Sequence, residues 1–244
     1  MRVSGPVLDM KRPTFCLFLR VAFWVIVGAS LLPTSLSASG AEEHSTGPAR
    51  PIELSRPSRP WEFLSAVGQR AGLFGNEAGN IEAWVYPLKI LRDFHLRFLV
   101  DGRVIPAEAL ARTLTVRPES STILYSGDTF SVRETFFVPV HEPGAVIIID
   151  VETASPLEVQ VAFERDFQLE WPAGLGGTYS YWAPRLSAFA LGEEQKKFFA
   201  FVGSSTAGEV HEEYDTNYSS AKEDSFSLGV TSKGKETKVV VIAA

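Results

Sequence analysis

The sequence predicts an all-β fold, an antiparallel β-sandwich in one domain, on three observations. Phe94, Leu96, Phe98 and Val100 alternate with polar residues, as in a strand with one buried face. About eleven strand-like segments alternate with turns rich in Gly, Pro, Asp and Ser, and no helical pattern of ten residues interrupts them. The apolar run around Ile147–Ile149 predicts a strand buried on both faces, at the centre of stacked sheets.

The elements follow in order from turn chemistry and periodicity. Trp61 to Val67 is expected to form a short helical turn or an irregular docking segment, because Gly68 and Gly72 oppose anything longer. Asp101-Gly102 is a hairpin turn, after which Arg103 to Ile105 runs back. Further strands are predicted at Thr113–Arg117, Thr122–Tyr125, Phe130–Val138, Ala145–Val151, Leu157–Phe163, Ser187–Leu191, Phe198–Val202, Phe226–Val230 and Lys238–Ile242.

The first 41 residues have the pattern of an export signal. Basic residues precede the apolar run Val21 to Leu32, and Ser39-Gly40-Ala41 offers a small-residue cleavage site. The run is short for a membrane span, although an uncleaved anchor is the alternative. We therefore expect an exported protein, periplasmic or secreted, with no stable membrane insertion after cleavage.

The remaining chain divides into a linker and a domain. Residues 42–60 are rich in Pro, Ser and Arg and are interpreted as a flexible linker. The β-sandwich is expected over 61–244. Because the sequence stops within a strand-like run at Lys238–Ile242, we expect the domain to be truncated at its C-terminal end.

Composition excludes several classes of function. The single cysteine, Cys16, lies within the predicted signal, so the exported chain has no disulfide and no cysteine metal site. The formal net charge of −6 disfavours a nucleic-acid partner, since acidic surfaces repel phosphates. Neither the histidine spacing nor the glycine-rich segments match a metal or phosphate motif, and we expect neither a metal nor a cofactor.

The segment around Gly79-Asn80 is the most informative part of the sequence. This dipeptide is a two-residue hairpin signal. With that turn Ala78 pairs with Ile81, and Glu77 lies directly across from Glu82. Two carboxylates about 5 Å apart repel each other unless a cation or hydrogen-bond donors lie between them.

Beyond the turn, Glu82, Trp84 and Tyr86 are predicted to share one face of the strand, while Ile81, Ala83 and Val85 point the other way. Flat rings beside an acceptor suit a sugar, whose C–H face stacks on rings while its hydroxyls need polar partners. Two alternatives remain open. Arg70, Lys89 or Arg92 could neutralise the two glutamates in a purely structural hairpin, or the pair could act at the spacing of a retaining glycosidase.

A second aromatic group surrounds a glycine-rich loop. Trp171 and Trp182 flank residues 172–178 and are candidate secondary stacking platforms, because the glycines let the backbone approach a ligand. The preceding segment, Arg165 to Glu170, supplies charge at the same rim.

Residues from about Arg59 onward resemble the N-terminal β-sandwich of bacterial glycogen-debranching-type (amylo-α-1,6-glucosidase-like) glycoside hydrolases. The resemblance is densest in RPWEFLSAVGQRAGLFGNEAGNIEAWVYPLKI. It implies a supersandwich-like fold and hydrolysis of α-glucosidic bonds by the parent protein. In that family the catalytic acids lie in a helical α/α barrel that follows the sandwich, so the resemblance implies no catalytic residue within these 244.

Together these observations predict a non-catalytic domain of an exported glycoside hydrolase acting on α-glucans. It would contact an α-glucan or oligosaccharide through Glu77, Glu82, Trp84, Tyr86, Trp171 and Trp182, which are alternatively contacts to a helical catalytic domain. A free-standing carbohydrate-binding module and a purely structural exported β-sandwich are the other candidate classes.

Overall fold

The computed structural model describes residues 52–169, 177–212 and 223–244. Most of them belong to strands, joined by turns and one 3-10 helix at Ala107–Leu110. The strands are β1 (Leu54–Pro57), β2 (Phe63–Val67), β3 (Ala71–Asn76), β4 (Ile81–Val85), β5 (Leu88–Val100), β6 (Arg103–Pro106), β7 (Ala111–Arg117), β8 (Ser120–Ser126), β9 (Phe130–Phe137), β10 (Gly144–Thr153), β11 (Leu157–Leu169), β12 (Thr178–Ala183), β13 (Ala188–Glu193), β14 (Phe199–Gly203), β15 (Val210–His211), β16 (Glu223–Thr231) and β17 (Gly234–Ala243).

The strands form two antiparallel sheets, which confirms the predicted all-β sandwich. A nine-stranded sheet has the order β1-β7-β8-β9-β10-β17-β14-β13-β12. An eight-stranded sheet has the order β15-β16-β11-β5-β4-β3-β2, and β6 pairs with the second half of β5. β5 therefore exchanges one neighbour, β4, for another, β6, along its length.

The core lies between the two sheets, where aromatic rings join them. Phe98 of β5 makes edge contacts with Tyr125 of β8 and Phe130 of β9, at centroid distances of 5.6 and 5.2 Å. Phe163 of β11 contacts Phe189 of β13 in the same way, at 5.6 Å. Such edge-to-face pairs add specific geometry to the large apolar area that each ring buries.

The periodicity predictions hold on the inner faces. Phe94, Leu96 and Phe98 are buried, and Asp101-Gly102 forms the predicted turn between β5 and β6. The prediction that Ile147–Ile149 is buried on both faces is wrong in part. The strand is central in its sheet, but Ile148 is only half-buried, because its side of the sheet is an outer surface.

The N-terminal boundary also differs from the prediction. Leu54–Pro57, assigned to the flexible linker, forms β1 at the edge of the nine-stranded sheet and pairs with β7. The segment expected to be helical or irregular contains β2, which pairs with β3. Both are edge strands whose side chains are mostly exposed, so their sequences lack the alternation by which inner strands are recognised.

Candidate functional site

The turn between β3 and β4 is longer than its Gly79-Asn80 signal predicts. Gly75 pairs with Ile81, which leaves five residues, 76–80, between the last paired positions instead of two. The Asn76 side chain organises this turn, since its Oδ1 accepts hydrogen bonds from the backbone N–H groups of Ala78 (3.0 Å) and Asn80 (3.3 Å). An asparagine that satisfies the backbone in this way competes with the tight two-residue hairpin.

The predicted opposition of Glu77 and Glu82 is therefore wrong. Glu82 pairs across the ladder with Phe74, while Glu77 lies in the turn and is fully buried. The Glu77 carboxylate is bound by both terminal guanidinium nitrogens of Arg56, one of them at 2.9 Å, and by the backbone N–H of Arg59 at 2.8 Å. Glu77 thus anchors the N-terminal segment to the sandwich and does not face the surface that carries Glu82.

Glu82 belongs to a network of polar side chains that we call the Trp84 network: Glu82, Trp84, Lys89 and Asp166. The indole N–H of Trp84 donates to Glu82 Oε1 at 2.9 Å. The Lys89 ammonium lies 2.7 Å from Glu82 and 2.8 Å from Asp166, and 5.8 Å from the centre of the Trp84 ring. Of the three cations that the sequence offers as partners for the hairpin acids, Lys89 pairs with Glu82.

The environment of the Trp84 network favours its charged states. Partial burial acts to raise the pKa of Glu82, but hydrogen bonds from Lys89 and Trp84 outweigh it and leave that pKa below its usual value. Burial acts to lower the pKa of Lys89, and its bonds to Asp166 and Glu82 reverse this and raise that pKa. Glu82 and Lys89 are therefore both charged at neutral pH, with the indole fixed beside them.

Irregularities in β5 place these side chains. Between the pairs Trp84↔Lys89 and Ala83↔Leu91, β5 has one residue more than β4. This extra residue interrupts the alternation of faces, and the consecutive residues Ile90 and Leu91 are both buried. β11 has its own extra residue between Arg165 and Gln168, the stretch that contains Asp166. Such bulges bend a strand and re-aim its side chains, and they are frequent next to functional sites.

The alternation predicted for β4 is confirmed. Ile81, Ala83 and Val85 are buried, whereas Glu82 and Trp84 lie on the outer face and are half-buried. Tyr86 follows the strand and is 71% exposed. The outer face of β4 thus presents a fixed indole and, just beyond the strand, a largely exposed tyrosine.

The second aromatic group is not brought to this face. Trp182 lies in β12, in the other sheet, and its indole packs on the core rings of Phe189 (5.1 Å) and Phe226 (5.9 Å). It is half-buried and packs against the hydrophobic core. Trp171 lies outside the described residues.

Two phenylalanines that the sequence analysis did not select lie beside Glu82. Phe63 of β2 and Phe74 of β3 are stacked, with centroids 6.4 Å apart and planes inclined by 18°. With Glu82, Arg92 and Asp93 they line an open cavity of about 320 Å³. Phe74 lies across Gly72, where a Cβ atom would come within 2.6 Å of the ring, so the glycine gives the ring its place. In the sequence, the glycine two residues before Phe74 was the one feature that could have indicated this position of the ring.

Among the described residues, no helix is long and apolar enough to span a membrane. Within the same ranges, no group of three or more His, Cys, Asp or Glu side chains could hold a metal ion.

No protein-family profile matches the sequence, and no curated protein matches it. The fold is similar to that of a bacterial glucoamylase in a structure with acarbose, with a TM-score of 0.49 and 7% identity over 77% of this chain. It is also similar to a presumed aldose 1-epimerase of Escherichia coli K12, with a TM-score of 0.46 and 10% identity over 75% of this chain and 98% of that chain. This chain spans 32% of the glucoamylase chain. At these identities no side-chain role is transferred from either protein.

Proposed function

We propose that this chain is a non-catalytic, sugar-contacting and docking domain of an exported glycoside hydrolase that acts on α-glucans. Trp84, Tyr86 and Glu82 contact the glycan. The observation that carries the proposal is the Trp84 network, in which an indole on an outer sheet face is held by a carboxylate 2.9 Å from its N–H. An aromatic ring fixed before the ligand arrives loses little conformational freedom on binding.

The charges of the network suit a neutral, polyhydroxylated ligand. Lys89 is shared by two carboxylates, so the group offers directed acceptors and a donor without an uncompensated cation to attract phosphate or an anionic polymer. Tyr86, 71% exposed, adds a second ring for a sugar to stack against. This combination of rings and planar polar groups is typical of saccharide recognition.

We place the chemistry of the parent enzyme outside this chain. A retaining glycosidase needs two carboxyl groups about 5–5.5 Å apart on the two sides of one bond. Glu77 is buried against Arg56, and both Glu82 and Asp166 are bound to Lys89, so each of these acids already has a cationic partner. Export is inferred from the sequence pattern of residues 1–41.

The docking part of the proposal is supported by the outer face of the other sheet. Leu186, Val239 and Val241 are exposed there, by 61%, 36% and 45%, and border an apolar cavity of about 720 Å³. Contiguous apolar surface of this kind marks interaction sites. A helical domain that buries it would leave the Trp84 network on the opposite sheet open to glycan.

Affinity electrophoresis in gels containing glycogen tests the sugar contact. We expect the protein to be retarded by glycogen and the Trp84→Ala variant to migrate as it does in a plain gel. Tyr86→Ala should lose part of the retardation. Tyr181→Ala is the matched control, because Tyr181 is an exposed tyrosine (49%) on the other sheet. A wild-type protein that glycogen does not retard would contradict the proposal.

A maltodextrin assay tests the placement of the chemistry. The purified protein should release no glucose. Release that Glu82→Gln abolishes would show that the reaction takes place in this domain, against our proposal.

A further inference from the structure

β5 contains a second bulge, at Asp93, beside the Trp84 network. Ile81 pairs with Phe94 and Ala83 with Leu91, so β5 holds one residue more than β4 across this interval. The ladder with β11 shows the same surplus, between Ala162↔His95 and Glu164↔Arg92. The φ angle of Asp93 is +49°, in the left-handed region that residues other than glycine seldom occupy. A backbone held there by its surroundings often belongs to a functional site.

A second cavity begins at this bulge. It has a volume of about 320 Å³ and lies where β5 passes from its partner β4 to its partner β6, between Phe94↔Ile81 and Arg97↔Pro106. Its polar lining includes Asn80, Asp93, His95, Arg97 and Glu223. Both Asn80 and Asp93 also line the cavity beside Phe63 and Phe74, so the two cavities adjoin.

The polar groups of the second cavity are held in place. Two guanidinium nitrogens of Arg97 donate to the two carboxylate oxygens of Glu223, one of them at 2.7 Å. The Nδ1–H of His95 donates to the backbone oxygen of Asp93 at 2.7 Å, which ties the imidazole to the bulge. Burial, with the nearby carboxylates of Glu164 and Glu223, raises the pKa of Asp93 despite the opposing effect of His95. Sugar hydroxyl groups both donate and accept hydrogen bonds. A pocket with fixed donors and acceptors therefore suits them better than a pocket with a single charged group.

We infer that the two adjoining cavities form one groove, which binds a further stretch of a neutral α-glucan beyond the unit at Trp84. Within the groove, Asp93 and Asn80 lie between a platform of two phenylalanines and a polar pocket. The inference rests on the proposed function and adds to it the length of the ligand. The Phe63–Phe74 pair contacts one sugar face, and the His95, Arg97 and Glu223 pocket receives the next unit. Glu82, which borders the first cavity and bonds to Trp84, connects the groove to the Trp84 network.

The groove predicts that affinity depends on the length of the glucan. Isothermal titration with maltose and maltoheptaose should show about tenfold tighter binding of the longer chain, the gain expected from one further stacked ring and one or two hydrogen bonds. Asp93→Gly should bring the affinity for maltoheptaose down to about that for maltose. Glycine accepts the positive φ angle, so this variant removes the side chain and keeps the bulge.

The chain contains a matched control for that variant. Asp101 has the same φ angle of +49°, is exposed in the β5–β6 turn and borders neither cavity. Asp101→Gly should bind maltoheptaose as the wild type does. Phe63→Ala is a second test with little risk to folding, because Phe63 is 70% exposed, and it should also lose the dependence on length.

The outcomes separate this inference from the proposed function. If Trp84→Ala abolishes binding while Asp93→Gly and Phe63→Ala bind maltoheptaose as tightly as the wild type, the groove is wrong and the sugar contact at Trp84 stands. Equal affinities of the wild type for maltose and maltoheptaose also overturn the groove. A wild type that binds neither sugar overturns the proposed function and the groove together, and an equal loss in Asp101→Gly overturns the assignment to Asp93.

Discussion

Two fully buried glutamates meet at the turn between β3 and β4, one within the turn and one beneath it, and their surroundings differ sharply. Glu77, within the turn, is bound by two nitrogens of Arg56 and by the N–H of Arg59. Glu134, on β9, lies beneath the same turn, where a Cβ atom on Gly79 would come within 3.3 Å of its carboxyl group. Its hydrogen bond comes from the Tyr125 hydroxyl, at 2.6 Å.

The partners decide which of the two acids carries a charge. Glu134 pairs across its ladders with Ile149 and Ile123, both buried, and its Oε1 is the buried side-chain oxygen without a hydrogen-bond partner in the described residues. Burial raises the pKa of Glu134 to about 8, and the bond from Tyr125 lowers it only in part. Glu134 is thus a neutral acid at pH 7. Glu77 has a guanidinium against it, which stabilises a carboxylate.

The comparison teaches that burial alone does not determine the role of a carboxylate. Glu77 joins two distant parts of the chain, because its ion pair ties β1 and the segment after it to the turn. Glu134 is buried in its neutral form and makes no ion pair with any described residue. Because its ionisation at alkaline pH would place a charge in the core, it makes the stability of the sandwich sensitive to alkaline pH. Four substitutions test this difference, in order of decreasing effect.

Removing the cation should have the largest effect. Arg56→Leu leaves the Glu77 carboxylate buried without its counter-ion, and the midpoint of thermal unfolding should fall by roughly 10–15 °C in calorimetry. Arg117→Leu is the matched control. Arg117 pairs with Glu53 at the surface, at 2.8 Å, and exposed pairs contribute little to stability. Equal losses in the two variants would contradict the special role of the Glu77 pair.

Filling the space under the turn should come next. At Gly79, φ is +94° and an added Cβ would lie 2.1 Å from the Tyr125 hydroxyl, so Gly79→Ala strains the turn and displaces the only donor to Glu134 in the described residues. We expect the unfolding midpoint to fall by roughly 5–10 °C. Gly102 also has a positive φ, of +74°, but has open space around it, so Gly102→Ala measures the backbone strain alone. If Gly79→Ala is as stable as Gly102→Ala, the Tyr125 hydroxyl and the Glu134 carboxyl group must lie farther from the turn than this structure shows.

The same region shows what sequence reasoning could and could not predict. The alternation in β4 and in Phe94–Phe98 was predicted correctly, because a period of two is a local property of the residues themselves. The position of Glu77 was not. It depends on the Asn76 side chain, which lengthens the turn, and on Arg56, twenty-one residues earlier in a segment whose composition is that of a linker.

The candidate site divides in the same way. Trp84 and Glu82 were assigned to one face from spacing alone, and the structure places them there, bonded to each other. The Lys89–Asp166 contact depends on a bulge in the β5–β11 ladder, and the bulge at Asp93 depends on two ladders at once. No feature of the local sequence marks the extra residue in either place, so these parts of the site required the three-dimensional register.

The third substitution separates the two glutamates by pH. Glu134 keeps its proton in the folded state up to pH of about 8, whereas the unfolded chain releases it near the ordinary value of 4.5. The stability that neutral Glu134 contributes is fully present below pH 4.5 and is lost as pH rises to about 8, at a rate of up to about 1.4 kcal/mol per pH unit. In Glu134→Gln this part of the pH dependence should disappear.

Urea unfolding at intervals from pH 5 to pH 9 measures this pH dependence of the free energy of unfolding. The free energy of unfolding of the wild type should fall relative to that of Glu134→Gln across this range and become parallel to it above about pH 8. A constant difference between the two proteins at every pH would mean that Glu134 is ionised when folded, as a paired carboxylate is, and would remove the contrast with Glu77.

Removing the hydroxyl that binds Glu134 should have the smallest effect on stability. Tyr125→Phe deletes one hydrogen bond to a neutral carboxyl group, so the unfolding midpoint should fall by roughly 2–4 °C at pH 5. Because the Tyr125 bond lowers the pKa of Glu134, its loss should raise that pKa and move the alkaline limb of the stability profile to higher pH. Tyr181→Phe, at a tyrosine of β12 that is 49% exposed, should change neither quantity. A shift of the limb to lower pH in Tyr125→Phe would mean that the hydroxyl accepts a hydrogen bond from the protonated Glu134 carboxyl group. The tyrosine, and not the apolar surroundings alone, would then hold that group neutral.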